Sequence, residues 1–460
     1  MRKIYILLII LSSGCATQLP PSGGDEDKTP PQVKLIRPKP NSVNVRGNSI
    51  LLKFDEYIEK RSFQNAFSIL PVIQGMEFKW QDDAVEITFP SPLEVMFPSK
   101  TVIINISTLM KDMHGNNITE PVRYAFSTGT QLDIGEIKGR IYAKNNERIR
   151  VLVYNTKRYN PLNMPPDYFT EPTQDGRYSL TNLSEGTYRL LAVDDMDNNL
   201  LYTKDRENYS VLPYDIEIGD SSCFEDVNFL MTDFKIPELA PIRDTSVYYP
   251  DSLYLIYCSV ENNSKFVLPD QNILFYFNKY IPDRKFLTEN FSVTDEYGSS
   301  TKIVYNWIND SLLEIFPQTT FTEGNRYDIS FKFAIFNDSL YQYRLSFRVA
   351  SSYMFGELKG YINSDFAAYP VIIEIYTMKG RTTVRYRLAF SEDKYIFPRV
   401  LESSYNLYAF VDINYNMKYD HGYPYPWQGS EPFYIYPKTI DIRGGWITEN
   451  LGITFKNHGK

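Results

Sequence analysis

Apolar and polar residues alternate along much of the chain in short runs. Ile50–Phe54 and Val85–Phe89 place apolar side chains at nearly every second position, which predicts strands with one buried face. Proline and glycine, such as Pro90 and Gly115, interrupt the runs where turns between strands are needed. Residues 60–66 accommodate one helical turn, but the sequence sustains no longer helical period. The pattern predicts an all-β chain built from antiparallel β-sandwiches.

The sequence contains an internal repeat, because several segments recur in the same order in both halves. The recurring pairs are Phe54–Ile58 with Phe277–Ile281, Trp80–Asp83 with Trp307–Asp310, Gly135–Gly139 with Gly356–Gly360, and Tyr188–Ala192 with Tyr405–Ala409. A shared order over this length indicates duplication of a two-domain unit. Four domains are predicted, at residues 32–130, 131–235, 236–350 and 351–457.

The N-terminal residues have the layout of a secretory signal peptide, predicted at 1–14. A basic start at Met1–Lys3 precedes an apolar run from Ile4 to Leu11, and this run is about half of the ~20 apolar residues that span a bilayer. The following Ser12–Cys15 segment resembles a bacterial lipobox, although the usual leucine three places before the cysteine is Ser12. The resemblance implies cleavage before Cys15 and a covalent diacylglyceryl and palmitoyl lipid anchor on it; an ordinary signal peptide is the alternative.

Residues 15–31 are predicted to be a flexible tether. This segment is rich in proline and glycine and carries the acidic cluster Asp25–Asp27. It lacks the apolar periodicity of a strand or helix, so it cannot bury enough apolar surface to offset the conformational entropy lost on folding. An acidic cluster after the lipidated cysteine resembles the surface-export signal of Bacteroidota lipoproteins. We therefore expect an outer-membrane lipoprotein that faces either the periplasm or the cell surface.

Motifs in 32–130 resemble the bacterial Ig-like domain first described in S-layer proteins. They are the opening Thr29–Pro31, the Phe54–Ile58 strand, the Asp112–Asn116 turn and the closing Tyr124–Gly129 strand. The second copy, at 236–350, lacks the Asp-x-x-Gly-Asn turn, so its assignment depends on the repeat.

The second part of each repeat resembles a transthyretin-like β-sandwich of the carboxypeptidase-regulatory type. In the first copy the resemblance rests on Gly135–Gly139, Val151–Tyr154, Asp175–Leu180 and Gly186–Leu190. The whole arrangement is similar to Ig-like-domain lipoproteins of the Bacteroidota. This resemblance implies an envelope component that serves adhesion or spacing, since such folds carry no fixed chemistry.

The charge and the cysteine content of the chain bear on its partners and on disulfide formation. The net charge is −8, and acidic and basic residues are interspersed. This argues against a nucleic-acid partner, because proteins that bind nucleic acids present a basic surface. Besides Cys15, the chain has Cys223 and Cys258. These two either form a disulfide in an oxidising compartment or remain separate buried thiols.

An oxygen-rich segment in the last domain is a candidate Ca²⁺ site, and no other cofactor is indicated. Its candidate ligands are Asp412, Asn414, Asn416 and Asp420, and Asp195-x-Asp197-x-Asn199 is the equivalent in the earlier copy. Oxygen side chains at alternate positions can converge on one calcium ion. Met417 and Tyr423 occupy positions six and twelve, so the segment is not an EF-hand. The alternative is a polar turn in which these side chains cap their own backbone amides.

An aromatic, proline-rich segment follows the oxygen-rich one. Tyr423, Tyr425 and Trp427 alternate with Pro424 and Pro426, which predicts a loop rather than a central strand. Exposed aromatic side chains on a loop contact sugars or a protein partner, whereas buried ones would complete the sandwich core. Tyr423, Tyr425 and Trp427 are therefore candidate ligand contacts.

The sequence offers little support for catalysis. Its three histidines, His114, His421 and His458, form no metal-binding pair in sequence, and no nucleophile elbow or P-loop is present. We expect a non-enzymatic, lipid-anchored envelope protein that presents β-sandwiches to a protein partner. A glycan-binding accessory lipoprotein that uses the Trp427 loop is the alternative. A hydrolase whose carboxylates come from distant segments is the third class.

Overall fold

The computed structural model describes residues 27–73, 75–219, 222–234, 253–334, 340–379 and 382–459. Strands make up 48% of the chain and helices 6%, so the predicted all-β fold of tandem sandwiches is confirmed. The predicted signal peptide, Cys15 and most of the predicted tether lie outside the described residues. In the described ranges, no helix is both long and apolar enough to cross a membrane. The chain divides into two compact units, Met1–Leu132 and Asp133–Lys460.

The first unit contains sandwich 1, which is made of seven strands and two short helices. The strands are β1 (Val33–Arg37), β2 (Ser49–Phe54), β3 (Phe67–Leu70), β4 (Glu77–Gln81), β5 (Ala84–Thr88), β6 (Thr101–Ile106) and β7 (Val122–Ser127), with helices α1 (Lys60–Ala66) and α2 (Leu93–Met96). One antiparallel sheet has the order β1-β2-β5-β4 and the other β3-β6-β7. The alternating run in β2 buries Ile50, Leu52 and Phe54, as a half-buried strand requires.

Helix α1 contributes to the core of sandwich 1 through Phe63. The Phe63 side chain is fully buried, and its ring meets those of Phe54, Phe78 and Trp80 edge-on at centroid distances of 5.7, 6.0 and 5.3 Å. Edge-to-face packing is the favoured geometry for aromatic pairs. The single helical turn predicted at 60–66 therefore supplies a core residue.

The second unit contains three further sandwiches. Sandwich 2 consists of β8 (Gly135–Tyr142), β9 (Ile149–Asn155), β10 (Tyr168–Thr170), β11 (Arg177–Leu183), β12 (Gly186–Asp194), β13 (Tyr209–Val211), β14 (Ile216–Ile218), β15 (Cys223–Phe224) and β16 (Phe229–Leu230), with a 3-10 helix at Thr156–Arg158. Its larger sheet has the order β10-β9-β12-β13, and β14 also pairs with β12. Its smaller sheet has the order β11-β8-β15, and β16 also pairs with β8.

Sandwich 3 repeats the strand order of sandwich 1. Its elements are β17 (Leu255–Cys258), β18 (Ser264–Val267), β19 (Ile273–Phe277), α3 (Arg284–Glu289), β20 (Ser292–Asp295), β21 (Ile303–Asn309), β22 (Leu312–Pro317), β23 (Arg326–Ala334) and β24 (Leu340–Val349). The sheets are β17-β19-β22-β21 and β18-β24-β23-β20. The additional strand β18 runs parallel to β24.

Sandwich 4 repeats the strand order of sandwich 2. Its elements are a 3-10 helix (Ser352–Met354), β25 (Phe355–Ser364), β26 (Val371–Lys379), β27 (Thr382–Phe390), β28 (Lys394–Leu401), β29 (Ser403–Val411), β30 (Phe433–Ile435), β31 (Ile440–Ile442) and β32 (Ile447–Phe455). The sheets are β28-β25-β32 and β27-β26-β29-β30, and β31 also pairs with β29. In both sandwiches the C-terminal strand pairs in parallel with the first one.

The glycines of the recurring Gly-Glu-apolar-Lys-Gly segment allow this parallel neighbour to approach closely. A Cβ atom on Gly139 would lie 1.8 Å from the Val227 carbonyl oxygen, and one on Gly360 would lie 2.2 Å from that of Leu451. The hydroxyl of Tyr178 donates to the Val227 oxygen at 2.7 Å. In sandwich 4, the Tyr395 hydroxyl donates to the Leu451 oxygen at 3.3 Å. Only glycine avoids these contacts.

Sandwiches 2 and 4 share an apolar cluster. Its buried members are Leu230, Ile372, Tyr408 and Phe410, and the partly buried rings of Tyr142, Tyr419 and Phe433 pack against them. On β26, Ile373 and Ile375 face the core of sandwich 4, whereas Ile372 belongs to the shared cluster. Strand β26 is therefore covered on both faces, which explains its continuous apolar sequence.

Candidate functional site

The aromatic segment of sandwich 4 forms a short hairpin, Tyr423–Gln428. The backbone amide of Tyr423 donates to the Gln428 carbonyl at 2.9 Å, and the amide of Gln428 donates back to the Tyr423 carbonyl at 2.9 Å. Pro424 and Pro426 lie in the tip, where each fixes its own φ angle. The hairpin is thus conformationally restricted by its sequence and by its two backbone hydrogen bonds.

Arg189 of sandwich 2 holds the tip of this hairpin. Its guanidinium lies 3.9 Å from the ring centroid of Trp427 and 4.7 Å from that of Tyr159. The same group makes a bidentate ion pair with Asp215, with Nε–Oδ1 at 2.8 Å and Nη2–Oδ2 at 2.7 Å. A planar guanidinium can stack on aromatic faces while its edge donates to a carboxylate. Arg189 therefore links the two sandwiches through Trp427.

Hydroxyl groups from sandwich 2 hold the backbone of the hairpin. The Tyr209 hydroxyl donates to the carbonyl of Gly422 at 3.0 Å, and the Tyr159 hydroxyl donates to that of Pro424 at 2.6 Å. In the opposite direction, Ser430 donates from its Oγ to the Val211 carbonyl at 2.9 Å. The position of the hairpin is therefore determined by side chains far away in the sequence.

A groove of about 540 Å³ lies between the hairpin and the turn that precedes β13. The groove is lined by Tyr202, Lys204, Asp205, Arg206, Glu207, Asn208, Tyr209, Tyr423, Pro424, Tyr425, Pro426, Trp427 and Gln428. Tyr423 is 59% exposed and Tyr425 is 42% exposed, whereas Trp427 is partly buried. Of the three predicted contact residues, two are open to a ligand, and the Trp427 ring packs against Arg189.

The turn that forms the opposite wall of the groove is held by Glu207. Its Oε1 accepts from the Met196 amide at 3.0 Å, and its Oε2 accepts from the Thr203 amide at 2.8 Å. Burial raises the pKa of the Glu207 carboxyl. Lys204, Asp205 and Arg206 remain exposed on the turn. The wall therefore presents two cations and one carboxylate to the groove.

The oxygen-rich segment of sandwich 4 forms a turn that its own side chains cap. Asp412, which is 1% exposed, accepts from the amides of Asn416 and Met417 at 3.0 and 2.9 Å. The side-chain amides of Asn414 and Asn416 both donate to Asp420 Oδ2, the latter at 2.9 Å. These contacts correspond to the polar turn predicted as the alternative. Calcium binding at Asp412, Asn414, Asn416 and Asp420 stays a prediction.

The same turn occurs in sandwich 2, and a second carboxylate supports it in each copy. Asp195 accepts from the amides of Asn199 and Leu200 at 3.0 and 3.1 Å, as Asp412 does in sandwich 4. Glu431 accepts from the amide of Ile413 at 2.8 Å and from that of Asp420 at 3.1 Å, which is the role of Glu207 in the earlier copy. No sequence pattern described above pointed to either glutamate. Each of them stands two residues before the strand that follows the turn.

Burial and nearby carboxylates affect the protonation of Glu431. Glu431 is 3% exposed, and its burial raises the pKa of its carboxyl to about 7; the charges of Asp420 and Asp412 act in the same direction. In sandwich 2, the carboxylate oxygens of Asp195, Asp197 and Glu207 lie within 4.8 Å of one another. Both turns thus concentrate acidic groups, most of whose oxygens are used by backbone amides.

Sandwich 1 has its own acidic group near the predicted Asp112–Asn116 turn. Asp112 Oδ1 accepts from the amides of His114 and Asn116, each at 2.8 Å, and Oδ2 accepts from the Asn116 side chain at 2.8 Å. Although burial opposes the change, these hydrogen bonds lower the pKa of Asp112. Burial, together with the charge of Asp112, raises the pKa of Glu56. The Asp-x-x-Gly-Asn motif therefore caps a turn.

Cys223 and Cys258 are both free thiols in the structure. The interpretation as two buried thiols is wrong for Cys223, because its side chain is exposed. Cys223 is exposed on β15, whereas Cys258 on β17 is only partly accessible. Burial raises the pKa of Cys258 to about 12.

Comparisons with known proteins bear on the first sandwich. Residues 27–128 match the family model of the bacterial Ig-like domain, so the Ig-like assignment of this segment is confirmed. A search of curated proteins returns no significant match. The lipid anchor, the outer-membrane location, the transthyretin-like assignment and the ranges of the four domains stay predictions.

Several solved structures share limited similarity with the chain. L,D-transpeptidase 3 from Mycobacterium tuberculosis is 9% identical with a TM-score of 0.17, and the match covers 24% of this chain and 40% of that one. The Bacillus anthracis TIE protein is 11% identical with a TM-score of 0.16, covering 95% and 76%. BcpA, the major pilin subunit of Bacillus cereus, is 9% identical with a TM-score of 0.15, covering 70% and 99%. Similarity this low carries no argument about activity or partners.

Proposed function

We propose that this chain is a lipid-anchored, non-catalytic protein of the bacterial cell envelope that presents a rigid binding surface to a protein partner. The observation that carries the proposal is the interlocked pair of sandwiches 2 and 4. The hairpin of one sandwich is stacked on Arg189 and hydrogen-bonded to Tyr159 and Tyr209 of the other. Such a pair offers a preorganised surface, which reduces the entropy lost on binding.

The sequence before sandwich 1 supports the anchored part of the proposal. Cys15 follows a signal-like apolar segment, and the next residues are rich in proline and glycine. An acylated cysteine with a flexible linker would tether the domains to a membrane surface. The match of residues 27–128 to a bacterial Ig-like domain agrees with a structural or binding role in the envelope.

The use of the buried carboxylates supports a non-catalytic role. Asp195, Glu207, Asp412 and Glu431 each accept two backbone amide hydrogen bonds. A general acid or base needs an oxygen within hydrogen-bond reach of a substrate. Carboxylates that cap turns on both oxygens fit a structural role better than that of the hydrolase considered above.

Cell fractionation and affinity purification test the proposal. Full-length protein should sediment with outer membranes and carry acyl chains on Cys15 by mass spectrometry, whereas Cys15→Ala should lose both properties. After mild crosslinking, an envelope protein should copurify with the wild type. Arg189→Ala, which uncouples the hairpin, should reduce its recovery. Cys223→Ala is the matched control and should behave as wild type. Soluble wild-type protein without acyl chains, or recovery of the bait alone, would contradict the proposal.

A further inference from the structure

The groove between sandwiches 2 and 4 exposes two aromatic side chains that contribute little to the core. Tyr423 and Tyr425 are 59% and 42% exposed, although the hairpin that carries them is firmly held. Neighbouring Trp427 and Tyr419 are partly buried by packing. The two tyrosines therefore lie on a structured hairpin and still leave their rings accessible.

Rigid, exposed tyrosines suit a ligand that has both apolar and polar faces. A tyrosine offers an apolar ring and a hydroxyl at its tip. A hexopyranose ring has a C–H face that stacks on an aromatic ring and hydroxyl groups around its edge that donate and accept hydrogen bonds. The prolines and backbone hydrogen bonds of the hairpin limit the entropy cost of positioning the rings.

The opposite wall of the groove supplies polar groups of mixed character. Lys204 and Arg206 provide donors, Asp205 provides acceptors, and Asn208 and Gln428 provide both. Glu207 holds the turn from below through the amides of Met196 and Thr203. Such a mixed set matches hydroxyl groups, which act as donor and acceptor, better than a ligand of a single charge sign.

The size of the groove also fits a small ligand. Its volume of about 540 Å³ falls within the range of roughly 300–1,000 Å³ that is common for ligand pockets. The groove lies between two domains, where binding sites are frequent.

We propose that this groove binds a carbohydrate chain, with Tyr423 and Tyr425 stacking on sugar rings and the Lys204–Arg206 turn contacting their hydroxyl groups. The inference rests on the proposed function, because it uses the surface that sandwiches 2 and 4 present, and it goes beyond that function by naming a carbohydrate as a further ligand besides the protein partner. Trp427 acts here as a positioning residue through its contact with Arg189.

A binding experiment tests the site. Full-length protein in detergent is applied to an array of neutral and uronate-containing oligosaccharides, and the strongest hit is titrated by calorimetry. Tyr423→Ala/Tyr425→Ala should bind this oligosaccharide at least about tenfold more weakly, because both stacked rings are lost; a tenfold loss corresponds to about 1.4 kcal/mol. Tyr425→Ala alone gives an intermediate loss and serves if the double variant fails to fold. The matched control is Tyr297→Ala/Tyr353→Ala, which removes two tyrosines that are 80% and 76% exposed, and its affinity should be unchanged.

Two results would overturn the carbohydrate site. One is a folded wild type that binds no oligosaccharide on the array, and the other is equal affinity of the double variant and its control. A proline-rich peptide that binds wild type and the control but not Tyr423→Ala/Tyr425→Ala, with no oligosaccharide bound by any of them, would reassign the groove. The anchoring and copurification tests are independent of this assay. If sugar binding fails but anchoring and copurification are normal, only the carbohydrate site is overturned. If anchoring is lost but sugar binding is intact, only the proposed function is overturned.

Discussion

The guanidinium of Arg189 lies 3.9 Å from the ring centroid of Trp427, and this contact joins two sandwiches that are separated in sequence by sandwich 3. Arg189 also pairs with Asp215 through two hydrogen bonds, so a residue of its own sandwich helps to fix its orientation. The stack on Trp427 and the hydroxyl bonds from Tyr159 and Tyr209 then fix one wall of the groove. The geometry of the candidate site thus depends on the contact between sandwiches 2 and 4.

Replacing Arg189 by alanine should destabilise this contact. The change removes a cation–π contact worth about 0.5–2 kcal/mol and leaves the partly buried Asp215 without its partner. We expect a loss of about 2–4 kcal/mol in the free energy of unfolding of the second unit. Arg189→Lys should recover only part of it, because lysine lacks the planar fork. Calorimetry of the full chain measures the effect.

The control for this experiment is Arg177→Ala. Arg177 pairs with Asp175, and their side chains are 75% and 47% exposed, so the expected loss is below about 1 kcal/mol. Equal shifts of the unfolding transition for both variants would mean that the Arg189–Trp427 contact has no special role.

Glu431 should make the second unit more stable in mild acid than at neutral pH. Burial raises the pKa of Glu431 from its ordinary 4.5 to about 7. Below about pH 4.5, both the folded and the unfolded chain hold the proton. Between pH 4.5 and 7, only the folded chain retains it, so the contribution is lost as pH rises through about 7. The shift corresponds to a change on the order of 3 kcal/mol.

Unfolding midpoints measured from about pH 5 to about pH 8 check this expectation. Glu431→Gln should flatten the pH dependence, while a smaller slope remains because burial also raises the pKa values of Glu207 and Asp195. The exposed Glu217→Gln is the control and should retain the wild-type slope. A wild-type midpoint that rises from pH 5 to 7, with the variant following the same curve, would contradict the assignment.

Asp412→Ala should destabilise sandwich 4 because it removes the acceptor of two amides. The Met417 amide would lose its acceptor, which costs about 1–3 kcal/mol, and the Asn416 amide would keep only Asn414 Oδ1 at 3.1 Å, which costs about 1 kcal/mol more. We expect a loss of about 2–4 kcal/mol in the free energy of unfolding. The exposed Asp441→Ala is the control, with an expected change within about 0.5 kcal/mol.

Calcium addition separates the two interpretations of this turn. A turn capped by its own side chains predicts the same unfolding midpoint in EDTA and in millimolar calcium. Bound calcium would instead raise the midpoint in wild type and not in Asp412→Ala, because a ligand that binds only the folded state stabilises it. From the hydrogen bonds made by Asn414 and Asn416 to Asp420, we expect no shift.

The two described cysteines should differ in reactivity. Cys223 is exposed, whereas Cys258 is shielded and burial raises its pKa to about 12, which keeps it in the unreactive thiol form. Native protein treated with a thiol reagent should show one fast reaction, which is absent in Cys223→Ser and present in Cys258→Ser. Reaction of either thiol only after reduction would reveal a disulfide.

Local patterns in the sequence determined the fold class and the repeat. Alternation in Ile50–Phe54 is a consequence of strand geometry, which places every second side chain on one face. The glycines at 139 and 360 recur because a neighbouring carbonyl leaves no room for a Cβ atom. Asp and Asn side chains that cap a turn bond to backbone amides only a few residues away, so the oxygen-rich turns could be recognised in the sequence.

Tertiary structure alone decided which aromatic residues face solvent. Trp427 and Tyr425 are near neighbours in one loop, yet the first is stacked on Arg189 and the second is 42% exposed. Their difference arises from the docking of sandwich 4 on sandwich 2, which no local pattern encodes. The roles of Glu207 and Glu431 depend likewise on the turn that folds over each of them. Local propensity therefore specified the strands, whereas long-range packing produced the groove.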